Sequence, residues 1–228
     1  MPFGMVQLAP DNQGAVWKSG YEYTLNNIGG FSHIHSWTMA GLSVMPTVGH
    51  LNTRMGPADG PTTGWTTGYR SRIDKTSERA SPGYYAVKLL NGNINVELTS
   101  TMRAGFFKFN YTEDVETNIL IDLQFFAENT PKILDVQITK VSDTEIEGYS
   151  KQQMDWNDYT VHFVCRFNKP MKEFGGWSGD KVSKAVPQIK GTGNIGGYAH
   201  SQAKAGDVIL MQTGISLVSI EQARLNLV

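Results

Sequence analysis

The fold is decided by residues 84–98, which read YYAVKLLNGNINVEL. Before the central Asn-Gly-Asn, the residues Tyr85, Val87 and Leu89 alternate with others and share one face of an extended chain. After it the alternation continues, and a period of two is typical of a strand with one buried face. The turn-forming residues between the two runs predict an antiparallel hairpin.

The same period of two recurs along the rest of the chain. Further alternating sets are Ile94, Val96 and Leu98; Ile119, Ile121 and Leu123; Leu134, Val136 and Ile138; and Val161, Phe163, Cys165 and Phe167. Several such strands separated by turn residues, with no sign of alternating strands and helices, predict an all-β fold, a two-sheet antiparallel β-sandwich. One helix is predicted, beginning near the C-terminus, where Ser219 and Gln222 have the spacing of a capping box.

Residues 1–70 have a different composition. They hold 11 of the 24 glycines and three of the five tryptophans, which is typical of long loops with few regular strands. The aromatic residues Trp17, Tyr21 and Tyr23 either pack over the core or offer flat surfaces on which a pyranose ring stacks. The residues alone leave both alternatives open.

His33 and His35 are two residues apart, so on a strand both imidazoles point to the same face. This spacing fits three roles: hydrogen-bonded structural histidines, contacts to a sugar or another substrate, or two ligands of a metal ion. A metal site needs further ligands, and the candidates are Asp59, Asp74 and His50, if folding brings them close.

Composition excludes several classes of protein. The 20 lysines and arginines are balanced by 21 aspartates and glutamates, so the basic excess of a nucleic-acid-binding protein is missing. No stretch approaches the roughly 18 apolar residues of a membrane span, and no signal peptide is visible at the N-terminus. The single Cys165 leaves no internal disulfide or cysteine-based zinc site, and its place in a predicted strand indicates a buried thiol.

Residues 191–196, GTGNIG, match the dinucleotide-binding fingerprint as a string. The residues that follow do not begin a helix, and no βαβ frame surrounds the string, so we interpret it as a glycine-rich loop between strands. Glycoside hydrolysis needs a pair of carboxylates, and a serine hydrolase of the α/β type needs a Gly-x-Ser-x-Gly elbow. The sequence offers no convincing carboxylate pair and no such elbow, so no catalytic residue is predicted.

Seven runs carry a resemblance to a known family. They are residues 2–11 (PFGMVQLAPD), 17–23 (WKSGYEY), 28–35 (IGGFSHIH), 45–49 (MPTVG), 81–87 (SPGYYAV), 96–99 (VELT) and 214–219 (GISLVS). In this order, across almost the whole chain, they resemble the N-terminal β-sandwich domain of glycoside hydrolase family 92. Residues 36–41 (SWTMAG) depart from the Leu-Ser-Gly type of run common in that family, a difference that bears on linkage preference.

The resemblance implies a fold and a function. Family members are calcium-dependent exo-α-mannosidases that invert configuration, and they join a mutarotase-like supersandwich domain to an (α/α) helical barrel. Their catalytic carboxylates and Ca²⁺ ligands belong to the barrel, so the resemblance implies no catalytic residue, cofactor or metal ligand on this chain. It implies periplasmic or secreted localisation, an α-mannoside glycan and the barrel of the same enzyme as partners, and neither nucleic acid nor membrane.

We therefore expect residues 1–228 to be a single family 92 N-terminal domain, truncated at its N-terminus and lacking the catalytic barrel. A helix that begins nine residues before the last residue indicates the entrance to the missing part. The expected function is that of a non-catalytic sugar-site domain, inactive alone. Its substrate-binding residues, by resemblance, are Trp17, Tyr21, Phe31, His33 and His35. The alternative is a stand-alone carbohydrate-binding or structural β-sandwich.

Overall fold

The computed structural model describes residues 4–12, 20–34, 42–56, 68–124, 132–154 and 157–227. In these ranges the chain forms strands and one short helix. The elements are β1 (Ala9–Asp11), β2 (Asn27–Ile28), β3 (Gly30–Ser32), β4 (Ser43–Val48), β5 (Ser71–Ser81), β6 (Tyr84–Leu89), β7 (Ile94–Ser100), β8 (Ala104–Tyr111), β9 (Val115–Asp122), β10 (Lys132–Ser142), β11 (Glu145–Met154), β12 (Asn157–Phe167), β13 (Glu173–Ser178), β14 (Lys181–Ser183), β15 (Gln188–Gly191), β16 (Ile195–Ala203), β17 (Val208–Ser216) and α1 (Ile220–Leu225).

The strands form two sheets. The smaller, seven-stranded sheet has the order β1-β3-β4-β9-β16-β13-β14, and the ten-stranded sheet has the order β15-β10-β11-β12-β17-β8-β7-β6-β5-β2. All of the strand pairs in the described ranges are antiparallel. The two-sheet antiparallel sandwich predicted from the sequence is confirmed. Within the part of the chain that the structure describes, no helix is long and apolar enough to cross a membrane.

The core lies between the two sheets. From the ten-stranded sheet, Phe107 and Phe109 are almost fully buried and their ring centroids lie 5.7 Å apart. From the seven-stranded sheet, the Thr117 hydroxyl lies 2.7 Å from the buried Tyr111 hydroxyl, and the hydrogen bond between them ties the two layers together. Removal of this apolar surface from water is the main force that holds the sheets face to face, at about 25 cal/mol per Å² buried.

The hairpin predicted from residues 84–98 is confirmed. β6 pairs with β7 so that Val87 lies opposite Val96, and both are buried. The turn between them has positive φ at Gly92 (90°) and Asn93 (50°), the left-handed conformation that glycine and asparagine adopt most readily. Cys165 is likewise confirmed as a buried thiol, and its burial raises the pKa of the thiol to about 12.

One alternating set is partly wrong. The sequence predicts Leu134, Val136 and Ile138 on one face, but Ile133 is buried in place of Leu134, which is half-buried. The cause is a shift in the pairing register of β10 with β11 between Ile133 and Asp135. A bulge adds one residue to a strand, so the side chains before it change faces relative to the simple alternation.

The string at residues 191–196 is a loop between strands, as predicted. It begins at the end of β15 and runs into β16, and Gly193 within it has a φ of 79°. Neighbouring elements are antiparallel strands rather than a strand and a helix. The match of this string to the dinucleotide-binding fingerprint is therefore accidental.

The predicted helix α1 is present and begins as expected. Ser219 is its N-cap and accepts a hydrogen bond from the Gln222 amide at 3.1 Å. The reciprocal half of the capping box is replaced, because the Gln222 side chain donates to Asn226 Oδ1 at 3.1 Å. The helix ends at Leu225 and packs on the outer face of the ten-stranded sheet, where Ala223 meets Val164. Its Arg224 forms ion pairs with Glu145 and Glu147 of β11.

Candidate functional site

The chain passes from the ten-stranded sheet to the seven-stranded sheet at Gly29, between β2 and β3. The Gly29 amide donates to the Asp11 carbonyl at 2.7 Å. A Cβ atom at this position would lie 2.7 Å from Met55 Sδ and 3.1 Å from the Arg70 guanidinium carbon. Any larger residue here would force the Met55 or Arg70 side chain to move, so the glycine allows the close approach of the two sheets at one corner of the sandwich.

Two segments that carry predicted site residues begin and end at this corner. Residues 13–19 contain Trp17 and are flanked by Asn12 and Gly20, whose backbones are joined by a hydrogen bond of 3.0 Å from the Asn12 amide. Residues 35–41 contain His35, and across their base His33 Nδ1 lies 3.0 Å from the Leu42 carbonyl. A carbonyl only accepts, so His33 Nδ1 carries the proton.

A third segment, residues 57–67, is closed at its base in the same way. The Tyr69 amide donates to the Arg54 carbonyl at 2.8 Å, and the Arg70 amide donates to the Met55 carbonyl at 3.0 Å. Gly68 allows the two arms to meet, since a Cβ there would lie 2.3 Å from the Met55 carbonyl oxygen. Three segments therefore start from bases that the described residues fix.

The Arg70 guanidinium joins these bases. It is almost fully buried, and its Nη1 donates to the Asn12 carbonyl at 2.9 Å and to Asn27 Oδ1 at 2.7 Å. Its Nη2 lies 2.9 Å from Met55 Sδ. On the β3 side, the Asp11 carboxylate accepts from the Ser32 amide at 2.9 Å. We call the set Asp11, Asn12, Asn27, Ser32, His33, Met55, Tyr69 and Arg70 the corner cluster.

Burial dominates the electrostatics of the corner cluster. It raises the pKa of Asp11 from 3.8 to about 7, outweighing the Ser32 hydrogen bonds and the nearby charge of Arg70. The Tyr69 hydroxyl donates to Asp122 Oδ2 at 2.6 Å. Burial, then the negative charge of Asp122, holds the pKa of Tyr69 well above its usual range, so this phenol stays a donor.

Tyr21 lies in a second polar group, on the ten-stranded sheet. The register of β5 with β6 shifts between Asp74 and Arg79. In this interval, Glu78 Oε1 accepts from the hydroxyls of Tyr21 at 2.6 Å and Tyr85 at 2.5 Å. Lys75 Nζ donates to the Tyr21 hydroxyl at 2.5 Å and to Glu78 Oε2 at 3.0 Å.

We call Tyr21, Lys75, Glu78 and Tyr85 the tyrosine group. Its two charged side chains, Lys75 and Glu78, form an ion pair. Burial raises the pKa of Glu78, but the hydrogen bonds from Tyr21, Tyr85 and Lys75 outweigh it and leave the pKa below its usual value. Lys75 Nζ also lies 4.3 Å from the ring centroid of Tyr23, which is 73% exposed. Tyr23 is thus an exposed aromatic ring beside the Lys75 ammonium group, whose position is fixed by its hydrogen bonds to Tyr21 and Glu78.

The predicted site residues have different surroundings. Phe31 is fully buried in β3, and His33 is fully buried against the Phe107 ring at 5.5 Å between centroids. Tyr21 is half-buried. Trp17 and His35 lie outside the described residues. The structure therefore places His33 in the corner cluster, Phe31 in the hydrophobic core and Tyr21 in the tyrosine group on β5 and β6.

The charged residues of these two groups, Asp11, Arg70, Lys75 and Glu78, were all missed by sequence reasoning. Asp11 offered a signal, because it is a carboxylate that ends the mainly apolar run 2–11. Arg70 offered none that distinguishes it from the exposed Arg72 two residues later. In the ranges that the structure describes, no group of three or more His, Cys, Asp or Glu side chains is placed to hold a metal ion.

The chain matches known proteins over nearly its whole length. Residues 1–216 match the model of the glycosyl hydrolase family 92 N-terminal domain. A family GH92 α-mannosidase from Bacteroides thetaiotaomicron superposes with a TM-score of 0.88 and 27% identity, covering 99% of this chain and 31% of that one. A GH92 inverting mannosidase from the same species superposes with a TM-score of 0.80 and 21% identity, covering 99% of this chain and 29% of that one.

A relative among the curated proteins also carries the name of a glycosidase. An uncharacterized secreted glycosidase from Arthroderma benhamiae is 30% identical over 135 residues, which is 54% of this chain and 17% of the relative. The chain thus spans about a third or less of the length of the proteins it matches. On the family match and the shared sandwich, the chain belongs to the glycosyl hydrolase family 92 N-terminal domain family.

Proposed function

We propose that this chain is the non-catalytic sugar-site domain of an α-mannosidase and helps to form the mannoside pocket with an (α/α) barrel domain. The observation that carries the proposal is the match of residues 1–216 to the family 92 N-terminal domain. It is supported by a 27% identical GH92 α-mannosidase that shares the fold and is about three times longer. The α-mannoside glycan and the barrel are the proposed partners, and the proposed location is periplasmic or secreted.

The corner cluster supports the part of the proposal that concerns the mannoside pocket. It fixes the bases of residues 13–19 and 35–41, which carry Trp17 and His35. We propose that these two side chains and Tyr21 contact the sugar, with the indole stacking on its apolar face and the others bonding to hydroxyls. Phe31 and His33 are buried, so their proposed part is to support these segments from below.

Calcium enters the proposal only through the barrel domain. The described residues of this chain offer no cluster of His, Cys, Asp or Glu that fits a cation. The one imidazole of the corner cluster, His33, is fully buried and bonded to a carbonyl. The proposed function therefore places no calcium ligand among the described residues of this chain.

The test is kinetic and uses the enzyme in which this chain is joined to its barrel. Trp17→Ala and His35→Ala should each lower kcat/KM for an aryl α-mannoside on the order of tenfold, the equivalent of about 1.4 kcal/mol of lost transition-state binding. The melting temperature should stay within a few degrees, because the hydrogen bonds that close the bases of both segments are made by other residues. The control is Tyr84→Ala, which removes an exposed aromatic ring from β6.

Two results would overturn the proposal. One is unchanged kcat/KM in both variants, and the other is hydrolysis of the mannoside by residues 1–228 alone. The alternative function, a stand-alone carbohydrate-binding or structural sandwich, predicts a stop codon directly after codon 228 in the gene. A reading frame that continues for several hundred codons with helical periodicity supports the enzyme.

A further inference from the structure

A cavity of about 430 Å³ opens on the outer face of the seven-stranded sheet. Its polar lining comes from His50, Asn118, Glu173, Lys184, Tyr198 and His200. This volume falls in the range of about 300–1,000 Å³ that is usual for small-molecule sites. Along β9, Asn118 is four residues from Asp122, which places the cavity about 13 Å from the corner cluster end of that strand.

The floor of the cavity is a fixed pair of polar side chains. Asn118 of β9 and His200 of β16 are direct register partners, and His200 Nδ1 lies 3.0 Å from Asn118 Oδ1. The Asn118 amide group donates to the Gly49 carbonyl at 3.3 Å, so its oxygen is the acceptor and His200 Nδ1 the donor. His200 Nε2 lies 2.9 Å from Glu116 Oε2, which fixes the plane of the ring.

One wall is made by Tyr198 and Glu173, and a glycine makes this possible. A Cβ at Gly175 would lie 2.3 Å from the Tyr198 hydroxyl oxygen, so the bare backbone lets the phenol ring cross β13. The hydroxyl donates to Glu173 Oε1 at 3.0 Å. Burial raises the pKa of Tyr198, so it remains a donor and holds the half-buried Glu173 carboxylate in place. A carboxylate has room for further hydrogen bonds after accepting this one.

The rim combines opposite charges with apolar surface. Lys184 and His50 are exposed and line the cavity together with the Glu173 carboxylate, and Leu51 and Val182 add hydrocarbon. Because Glu173 and Lys184 both line the cavity, the lining favours neither an anion nor a cation. A hydroxyl group both donates and accepts and therefore satisfies both kinds of neighbour. The described residues here form no cluster that fits a metal ion.

We propose that this cavity binds a neutral polyol of monosaccharide size, with Glu173 and Lys184 bonding to its hydroxyls and Leu51 and Val182 packing on its C–H face. The proposal does not depend on the proposed function, since it uses none of the segments that carry Trp17, Tyr21 or His35. The cavity is open and its rim is exposed, so binding is weak, with a Kd on the order of millimolar.

The experiment is a two-dimensional ¹H–¹⁵N NMR titration of the 228-residue chain with D-mannose, D-glucose and, separately, sodium phosphate. At least one hexose should give saturable shifts centred on Asn118, Glu173 and His200. Lys184→Ala should weaken that binding about fivefold, the effect of one lost hydrogen bond. Its matched control, Lys181→Ala, removes an exposed lysine of β14 that does not line the cavity and should leave the Kd unchanged.

Each other outcome overturns the inference. Saturable shifts with phosphate alone make the cavity an anion site. No saturation by either hexose at about 100 mM, well above a millimolar Kd, removes the polyol site. Shifts centred on Tyr21 and Tyr23 instead would support the proposed function while overturning this inference, so the two proposals fail separately. Equal weakening by Lys184→Ala and Lys181→Ala shows a general charge effect and also rejects the site.

Discussion

The corner cluster and the ten-stranded sheet are held together by different kinds of interaction. In the sheet, side chains such as Phe109, Ile138 and Phe163 are fully buried and apolar, and they pack without directional contacts. In the corner cluster, Asn12 and Arg70 are just as deeply buried, but each is fixed by hydrogen bonds of defined direction. Apolar packing tolerates small changes of shape, whereas a buried donor or acceptor that loses its partner pays the whole desolvation penalty.

The difference bears on how residues 13–19, 35–41 and 57–67 are anchored at their ends. Apolar side-chain packing alone does not define where a long loop begins, because its contacts are non-directional. The hydrogen bonds of Asn12, His33 and Arg70 close the bases of three segments at distances between 2.7 and 3.0 Å. The corner cluster thus tolerates fewer substitutions than the sheet, but it fixes the positions at which the three segments begin and end.

The largest expected effect is from Arg70→Met. This change removes the donors to the Asn12 carbonyl and Asn27 Oδ1, and the positive charge beside Asp11. Breaking a buried charged network in this way lowers the free energy of unfolding by about 3–5 kcal/mol. Urea denaturation followed by tryptophan fluorescence measures it.

Two comparison variants make the result specific. Arg72→Met removes an exposed arginine two residues away and should change the free energy of unfolding by no more than about 0.5 kcal/mol. Ile138→Val deletes one buried methylene from the sheet and should lower it by about 1 kcal/mol. If Arg70→Met costs no more than Ile138→Val, the contrast between the two regions is wrong.

A second prediction concerns the bulge in β10. Ile133→Ala should lower the free energy of unfolding by about 3 kcal/mol, because Ile133 is buried in the core. Leu134→Ala should lower it by less than about 1 kcal/mol, because Leu134 is only half-buried. The two variants delete side chains of the same volume class, so their order reports the register directly. The reverse order would restore the simple alternation of Leu134, Val136 and Ile138.

Most of the sandwich was readable from the sequence because strand alternation is a local pattern. Residues 84–98 carry both the apolar period of two and the turn residues, so the hairpin of β6 and β7 follows without knowledge of the rest. The bulge at Ile133 was not readable, since both Ile133 and Leu134 are apolar and only the pairing with β11 decides between them. The order of strands in each sheet depends likewise on contacts between distant residues.

The corner cluster was hidden for a related reason. Arg70 reaches Asn12 across 58 residues of sequence, and Tyr69 reaches Asp122 across 53. Polar residues in a glycine-rich segment look like solvent-exposed loop, and only the fold shows that they are buried. Aromatic residues among residues 1–70 were predicted as site residues, while the charged residues Asp11 and Arg70 were not.

The smallest expected effect is the pH dependence that Asp11 contributes. Its pKa is raised from 3.8 to about 7 in the folded chain, mainly by burial. Between these values the folded state binds more protons than the unfolded chain, so the free energy of unfolding falls as pH rises, by at most about 1.4 kcal/mol per pH unit. Asp11→Asn keeps an oxygen that accepts from the Ser32 amide and has no charge to bury.

The measurement is the free energy of unfolding of both proteins at pH 5, 6 and 7. Burial lowers the pKa of His162, which makes stability rise with pH over the same interval, so the wild-type slope alone mixes two opposite contributions. His162 is present in both proteins, and the difference between their slopes therefore isolates Asp11. A wild-type curve that falls relative to Asp11→Asn places a neutral carboxyl in the corner cluster at low pH. Parallel curves would mean that Asp11 stays ionised throughout, and the corner would then be held by a buried ion pair of Asp11 with Arg70.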